Sequence, residues 1–296
     1  RQGLLQSDTA LNLTSLGAID NRQGTFSAGQ RLDISAASLD NGGGKLVSDG
    51  QLTARIAAQL LNRAGLFSAG TFLQVSAASL DNSATGNLNA KGQLAVTLSG
   101  ALNNDTGTLS SDASLNLKAG QVANSNGGRI SSQLQLTASV SGLDQHNGGG
   151  LYSQSGVSLD LNHGHLNNQG GLIHAPGALL LSNLASVDNQ GGEISSAQAL
   201  DLTADSLDNR SGKLLSEQGL IVRIARALDN TKGLIASTGL DLRADSLVNA
   251  EGELKVRDDV KVLVATALDN RLGKIVGATT ALNSQTLDNS AGLLQG

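Results

Sequence analysis

Apolar residues in this chain recur at a spacing of two, in runs too short for a helix. Leu200-Asp-Leu202-Thr-Ala204 and Leu240-Asp-Leu242-Arg-Ala244 alternate apolar with polar positions. Nothing recurs at i, i+3, i+4 for long enough to make an amphipathic helix, so the pattern predicts short strands with one face buried.

The strands come in a cycle. ISAASLDN occupies residues 34–41 and VSAASLDN residues 75–82. Aligned on the last residue of that octapeptide, the register falls at Asn21, Asn41, Asn62, Asn82, Asn104, Asn124, Gln145, Asn168, Asn189, Asn209, Asn230, Asn249, Asn270 and Asn289. Successive positions are 19 to 23 residues apart, about 20.6 on average. Short and long spacings largely alternate, which is why the closest matches lie two cycles apart. Two residues before the register position stands an apolar side chain, from Ile19 and Leu39 to Leu287. A Gly follows three or four residues after it, and two beyond that Gly is another apolar column running from Phe26 and Leu46 to Leu294.

One cycle reads G-x-Φ-x-S, L-x-L-x-A, Φ-D-N, with Φ apolar: three short strands and three corners. A single cycle has nowhere to bury its inward face, whereas stacked cycles bury it and pair their strands with the neighbours. The expected fold is therefore all-β, a right-handed parallel β-helix of about 14 coils of about 20–21 residues with three short strands per coil. Residues 1–296 are expected to form one continuous domain, a rod of roughly 65–70 Å at the strand spacing of ~4.8 Å. Leucine-rich repeats have a similar length, but they place their Asn differently and carry a helical or irregular outer side.

In this arrangement the Asn column points inward at a corner, where each amide can donate to one neighbour and accept from the other. Asn also tolerates a left-handed corner, and the following Gly is expected to supply the remaining positive-φ geometry. Asp precedes the register residue in nine coils: Asp20, Asp40, Asp81, Asp144, Asp188, Asp208, Asp229, Asp269 and Asp288. These carboxylates face outward and are read as acceptors of their own corner's backbone N–H. A stacked calcium site is the less favoured reading, since Leu61, Ala123 and Val248 interrupt the column.

Composition supports an unusual core. Gly numbers 37 and Pro 1, Cys, Met and Trp are absent, and the aromatic residues are Phe26, Phe67, Phe72 and Tyr152. Stacked Leu, Val, Ile, Ala and Ser must fill the interior. The net charge of −5 gives no reason to expect nucleic acid. No apolar run reaches the length of a membrane-spanning helix, and the first residues do not read as a signal peptide. The absence of Met suggests a segment of a longer polypeptide.

Candidate chemistry is sparse. His146, His163, His165, His174 and Tyr152 cluster between residues 146 and 174, beside the longest cycle, and form a candidate surface recognition patch. His163 and His165 share an outward strand face, half a metal site with no acidic or Cys ligand at useful spacing. No paired carboxylates, Ser-His-Asp set or phosphate loop is present. Neither catalysis nor a cofactor is expected, and the charged run 251–261 reads as a solvated face.

The columns LDN-x-x-G-x-L-x-S and L-x-L-x-A resemble the haemagglutinin repeats of filamentous haemagglutinin-like exoproteins. SLDNRSGKLLS (206–216), ALDNTKGLIAS (227–237) and SVDNQGGEISS (186–196) are close local matches. The resemblance implies a filament segment of an adhesin or a contact-dependent growth inhibition effector, secreted to the surface of a Gram-negative bacterium. It further implies a two-partner-secretion transporter in the outer membrane as export partner, and target receptors contacted through other regions. Two other readings are a receptor- or glycan-binding module and, less favoured, a carbohydrate-active β-helix. Open coil edges are also expected to invite end-to-end self-association.

Overall fold

The computed structural model describes residues 3–296. It is all-β, a parallel β-solenoid of about 14 turns, and no helix occurs among the described residues. The fold divides into two compact units, Arg1–Asp144 with Gly148–Gln154, and Gln145–Asn147 with Ser155–Gly296.

In the first unit each coil lays a first strand on the one before it. Leu4–Ser7, Thr25–Ala28, Lys45–Ser48 and Leu66–Ala69 pair in parallel and in register. A second strand, as in Arg31–Ala36 and Gln51–Ile56, and a short third, as in Ser38–Asp40 and Gln59–Leu61, pair with their counterparts in the same manner. The second unit repeats the scheme, with Leu172–Ala175, Glu193–Ser196 and Lys213–Ser216 as successive first strands.

Period-2 alternation puts every second side chain inside. The column of Leu46, Phe67, Leu88, Leu109 and Ile130 is 0% exposed, and so is that of Ile173, Ile194, Leu214, Ile235 and Leu254. Each such side chain contributes roughly 1.5–3 kcal/mol by leaving water. Aliphatic columns stacked at strand spacing thus replace aromatic bulk. Burial fades at the end coils, where Leu5 and Leu287 occupy core columns yet remain 45% and 47% exposed.

The coils at 157–167, 179–188 and 200–208 depart from the three-strand expectation, because their second and third strands run on as one. In the first two, left-handed residues within the strand take up the bend. Asn162, His163 and Asn183 have φ of 49°, 62° and 56°, and the pairing between these coils shifts register around Gly164. The charged run at 251–261 alternates as a half-solvated strand pair should: Leu254, Val256 and Val260 are buried while Lys255, Arg257 and Lys261 are exposed.

Candidate functional site

The corner after the third strand holds a ladder of amides. In the first unit Asn21 Nδ2 donates to Asn41 Oδ1 at 2.7 Å, Asn41 to Asn62 at 2.8 Å, and Asn62 to Asn82, Asn82 to Asn104 and Asn104 to Asn124 each at 2.7 Å. The second unit runs from Gln145 Nε2 to Asn168 at 2.6 Å, then through Asn189, Asn209, Asn230, Asn249 and Asn270 to Asn289 at 2.6–2.7 Å. Each of these amide-to-amide bonds points the same way, donating to the coil that follows in sequence. The second Nδ2 hydrogen reaches backbone carbonyls: Asn41 Nδ2 lies 3.2 Å from Gly44 O and 3.4 Å from Leu66 O. The backbone N–H of Asn41 donates to Leu61 O at 2.8 Å, and its C=O accepts from Gly44 N–H at 2.9 Å. Satisfaction on every side is what permits a fully buried polar column. Gln145 departs from it. Its longer side chain leaves Oε1 buried without a hydrogen-bond partner.

The corner glycines act by space, which corrects the positive-φ expectation. Left-handed φ falls on the residue before the Gly: Gln23 at 58°, Ala64 at 52°, Ser211 at 55°, Lys232 at 58°, Glu251 at 54° and Leu272 at 58°. Neither the ladder Asn residues nor Gly44, Gly65, Gly212 and Gly233 have positive φ among the described residues. A Cβ at Gly212 would instead collide with Asn189 O and stand 2.7 Å from Asn209 Oδ1 and 3.0 Å from Asn189 Nδ2. The ladder and the preceding coil's carbonyl occupy the volume a side chain would need.

The Asp column closes the same corner from outside. Asp20, Asp40, Asp188, Asp208, Asp229, Asp269 and Asp288 each accept the backbone N–H two residues on, at 2.9–3.1 Å. Asn103 and Asn167 do the same where Asp is replaced, at 3.1 and 3.2 Å. Arg beside the ladder adds a clamp. Arg271 Nη2 lies 2.6 Å from Asp269 Oδ2, and its Nε is 3.7 Å from Asp288 of the next coil. Arg22 and Arg210 repeat this geometry.

These contacts set the acid response. The Arg271 guanidinium holds Asp269 below the usual carboxylate range against the upward pull of burial. The Ser290 hydroxyl does so for Asp288 and Arg22 for Asp20. At Asp81 burial works upward, and the Ser83 hydroxyl and N–H together with Arg63 outweigh it. A depressed carboxylate stabilises the fold above its unfolded pKa of about 3.9, and that contribution is lost as pH falls through the folded value. The melting temperature is therefore expected to stay level from about pH 7 to 5 and to drop below about pH 4. Arg271→Gln is expected to shrink the drop, as measured by melts across that range.

The second corner, after the first strand, is tied by serine hydroxyls. Ser196 Oγ donates to Gly177 O at 2.8 Å and accepts Gln198 N–H at 3.0 Å; Ser216 Oγ donates to Gln198 O at 2.6 Å. Ser and Ala recurrence in this column was visible in the sequence. The bonding role was not, because Ala28, Ala69 and Ala90 share the column and suggest only small volume.

The residues of the candidate histidine patch lie on several elements. Tyr152, half-buried on the strand Gly150–Ser153, belongs to the first unit. His146 is half-buried beside Gln145 in the second. His163 and His165 are exposed on Val157–Asn167, with the register shift between them; His165 Nδ1 lies 2.6 Å from Ser186 Oγ. His174 stands on another strand, its Nδ1 2.8 Å from Ser195 Oγ, which donates to Glu193 Oε1 at 2.9 Å. His174 borders a groove of about 680 Å³ with Leu215, Ala236 and Lys255, and His163 borders a separate one of about 300 Å³ with Arg223 and Arg243. Among the described residues no three His, Asp or Glu side chains gather to hold a metal ion.

Comparison with known proteins gives no match among curated proteins or solved structures. The family model described as haemagglutinin repeat matches residues 130–210 and 195–296. That stretch takes in the second-unit ladder from Gln145 to Asn289, with its corner glycines and buried aliphatic columns, and with them the chain belongs to the haemagglutinin repeat family.

Proposed function

We propose that this chain is one continuous length of stalk in a secreted, surface-displayed haemagglutinin-like protein of a Gram-negative bacterium. Its parent is an adhesin or a growth-inhibition effector, exported through an outer-membrane two-partner-secretion transporter. Receptor contact and any toxin activity reside elsewhere in the polypeptide, and the segment itself is not an enzyme. One observation carries the reading: in coil after coil the corner and core residues are committed to holding the next coil. Asn and the buried Ser bond to neighbouring coils, Gly leaves room for the coil before it, and Asp fastens its own corner. The two His-bordered grooves favour a second reading, a binding module for a receptor or glycan.

The isolated chain separates the two. Applied to a glycan array and to candidate target cells, a stalk segment gives no saturable binding, and His163→Ala with His174→Ala changes nothing. Saturable binding that either substitution abolishes would replace the stalk reading with the binding module.

A further inference from the structure

The ladder commits the asparagine amides to the interior, which raises the question of those outside it. An Asn followed by Gly is chemically labile, because Gly has no Cβ to hinder its backbone nitrogen from reaching the Asn side-chain carbonyl. The sequence holds three such steps, Asn41–Gly42, Asn126–Gly127 and Asn147–Gly148.

The structure sets two of them in opposite environments. Asn41 is 0% exposed. Its Nδ2 donates to Asn62 Oδ1 at 2.8 Å, and its Oδ1 accepts from Asn21 Nδ2 at 2.7 Å. Reaction there requires the ladder to open first. Asn126 and Gly127 are both exposed on the corner that follows ladder residue Asn124. They occupy the left-handed region at φ 55° and 80°, and a Cβ added at Gly127 would meet nothing within 4 Å. Neither the Asn126 amide nor the Gly127 N–H has a hydrogen-bond partner among the described residues.

From this contrast we infer that Asn126–Gly127 is a self-modification site of the folded protein, a deamidation site that the ladder denies to Asn41–Gly42. Gly127 N attacks Asn126 Cγ; the N–Cγ bond forms, the Cγ–Nδ2 bond breaks, and the Gly127 proton leaves with the departing ammonia. Water then opens the succinimide at either carbonyl, giving Asp or isoaspartate at position 126. The net change is Asn plus water to Asp or isoaspartate plus ammonia, with no catalyst or oxidant. Either product adds a carboxylate to an exposed corner, and isoaspartate also inserts a methylene into the main chain three residues after Gln121–Ala123, a paired third strand.

The test is incubation of the intact chain in mildly alkaline buffer, folded and in concentrated urea, followed by peptide mapping for the gain of roughly one mass unit at each Asn. Expected is conversion at Asn126 at least about tenfold faster than at Asn41 in the folded protein, because Asn41 must wait for local opening. In urea the two steps are expected to react within about twofold of each other, since only the fold distinguishes them. Equal rates in the folded protein would overturn the inference. So would protection of Asn126 to the level of Asn41.

Discussion

Asn189→Leu is expected to destabilise the second unit by about 3–5 kcal/mol, as the summed effect of losing its two hydrogen bonds to neighbouring amides and distorting a corner. Asn189 is 0% exposed. It accepts from Asn168 Nδ2 at 2.6 Å and donates to Asn209 Oδ1 at 2.7 Å and Lys213 O at 3.1 Å. Leucine matches its volume approximately but orphans a donor on one side and an acceptor on the other, each at about 1–3 kcal/mol. The same substitution one residue earlier serves as the control. Asp188 accepts from Gln190 N–H at 3.1 Å and from Gln169 Nε2 at 2.5 Å, both at the surface. Its loss is expected to cost about 1 kcal/mol or less, because water replaces exposed partners. Urea denaturation of both variants measures the difference. Small and equal effects would contradict the assignment of Asn189 to the interior and Asp188 to the exterior.

The second large effect inverts the usual expectation for glycine. Gly191→Ala places a side chain at φ 62° with nothing within 4 Å of the new Cβ. It is expected to cost only about 1–2 kcal/mol, the left-handed penalty for an L-residue. Ser211, Lys232, Glu251 and Leu272 already occupy the corresponding left-handed position in later coils. Gly212→Ala has no positive φ to oppose it. Its Cβ would nevertheless run into Asn189 O and press on two ladder amides at 2.7 and 3.0 Å. The obstacle is backbone and a locked amide, so the coil itself must shift, and a loss of about 3–5 kcal/mol is expected. Circular dichroism melts of the pair decide the matter. A larger loss at Gly191 than at Gly212 would mean that dihedral strain and not space governs the corner.

Legibility followed from whether a residue's role repeats. Period, strand positions, the inward columns of Leu46 and Leu39, and the bonding of Asp to its own corner all recur coil after coil, so a single sequence samples each of them many times. From the sequence the invariant Gly reads as the strained position, whereas the variable residue before it carries the positive φ. Variability there reflects exposure: a solvated corner accepts Gln23, Ala64 or Lys232 at a similar small cost. The serine ties at Ser196 and Ser216 were hidden because Ala occupies the same column elsewhere. The coil winding sends His163 and His174 to different strands bordering different grooves.

The sequence by itself determined the repeat, the burial alternation and the identity of the corner amides, since these depend on local periodicity and on the intolerance of a buried face for unpaired polar groups. Only the tertiary structure decided the direction of the amide ladder, the spatial reason for glycine and the isolation of Asn126 from that ladder. Each of these depends on what the adjacent coil places within a few ångströms, and that neighbour lies about twenty residues away in the chain.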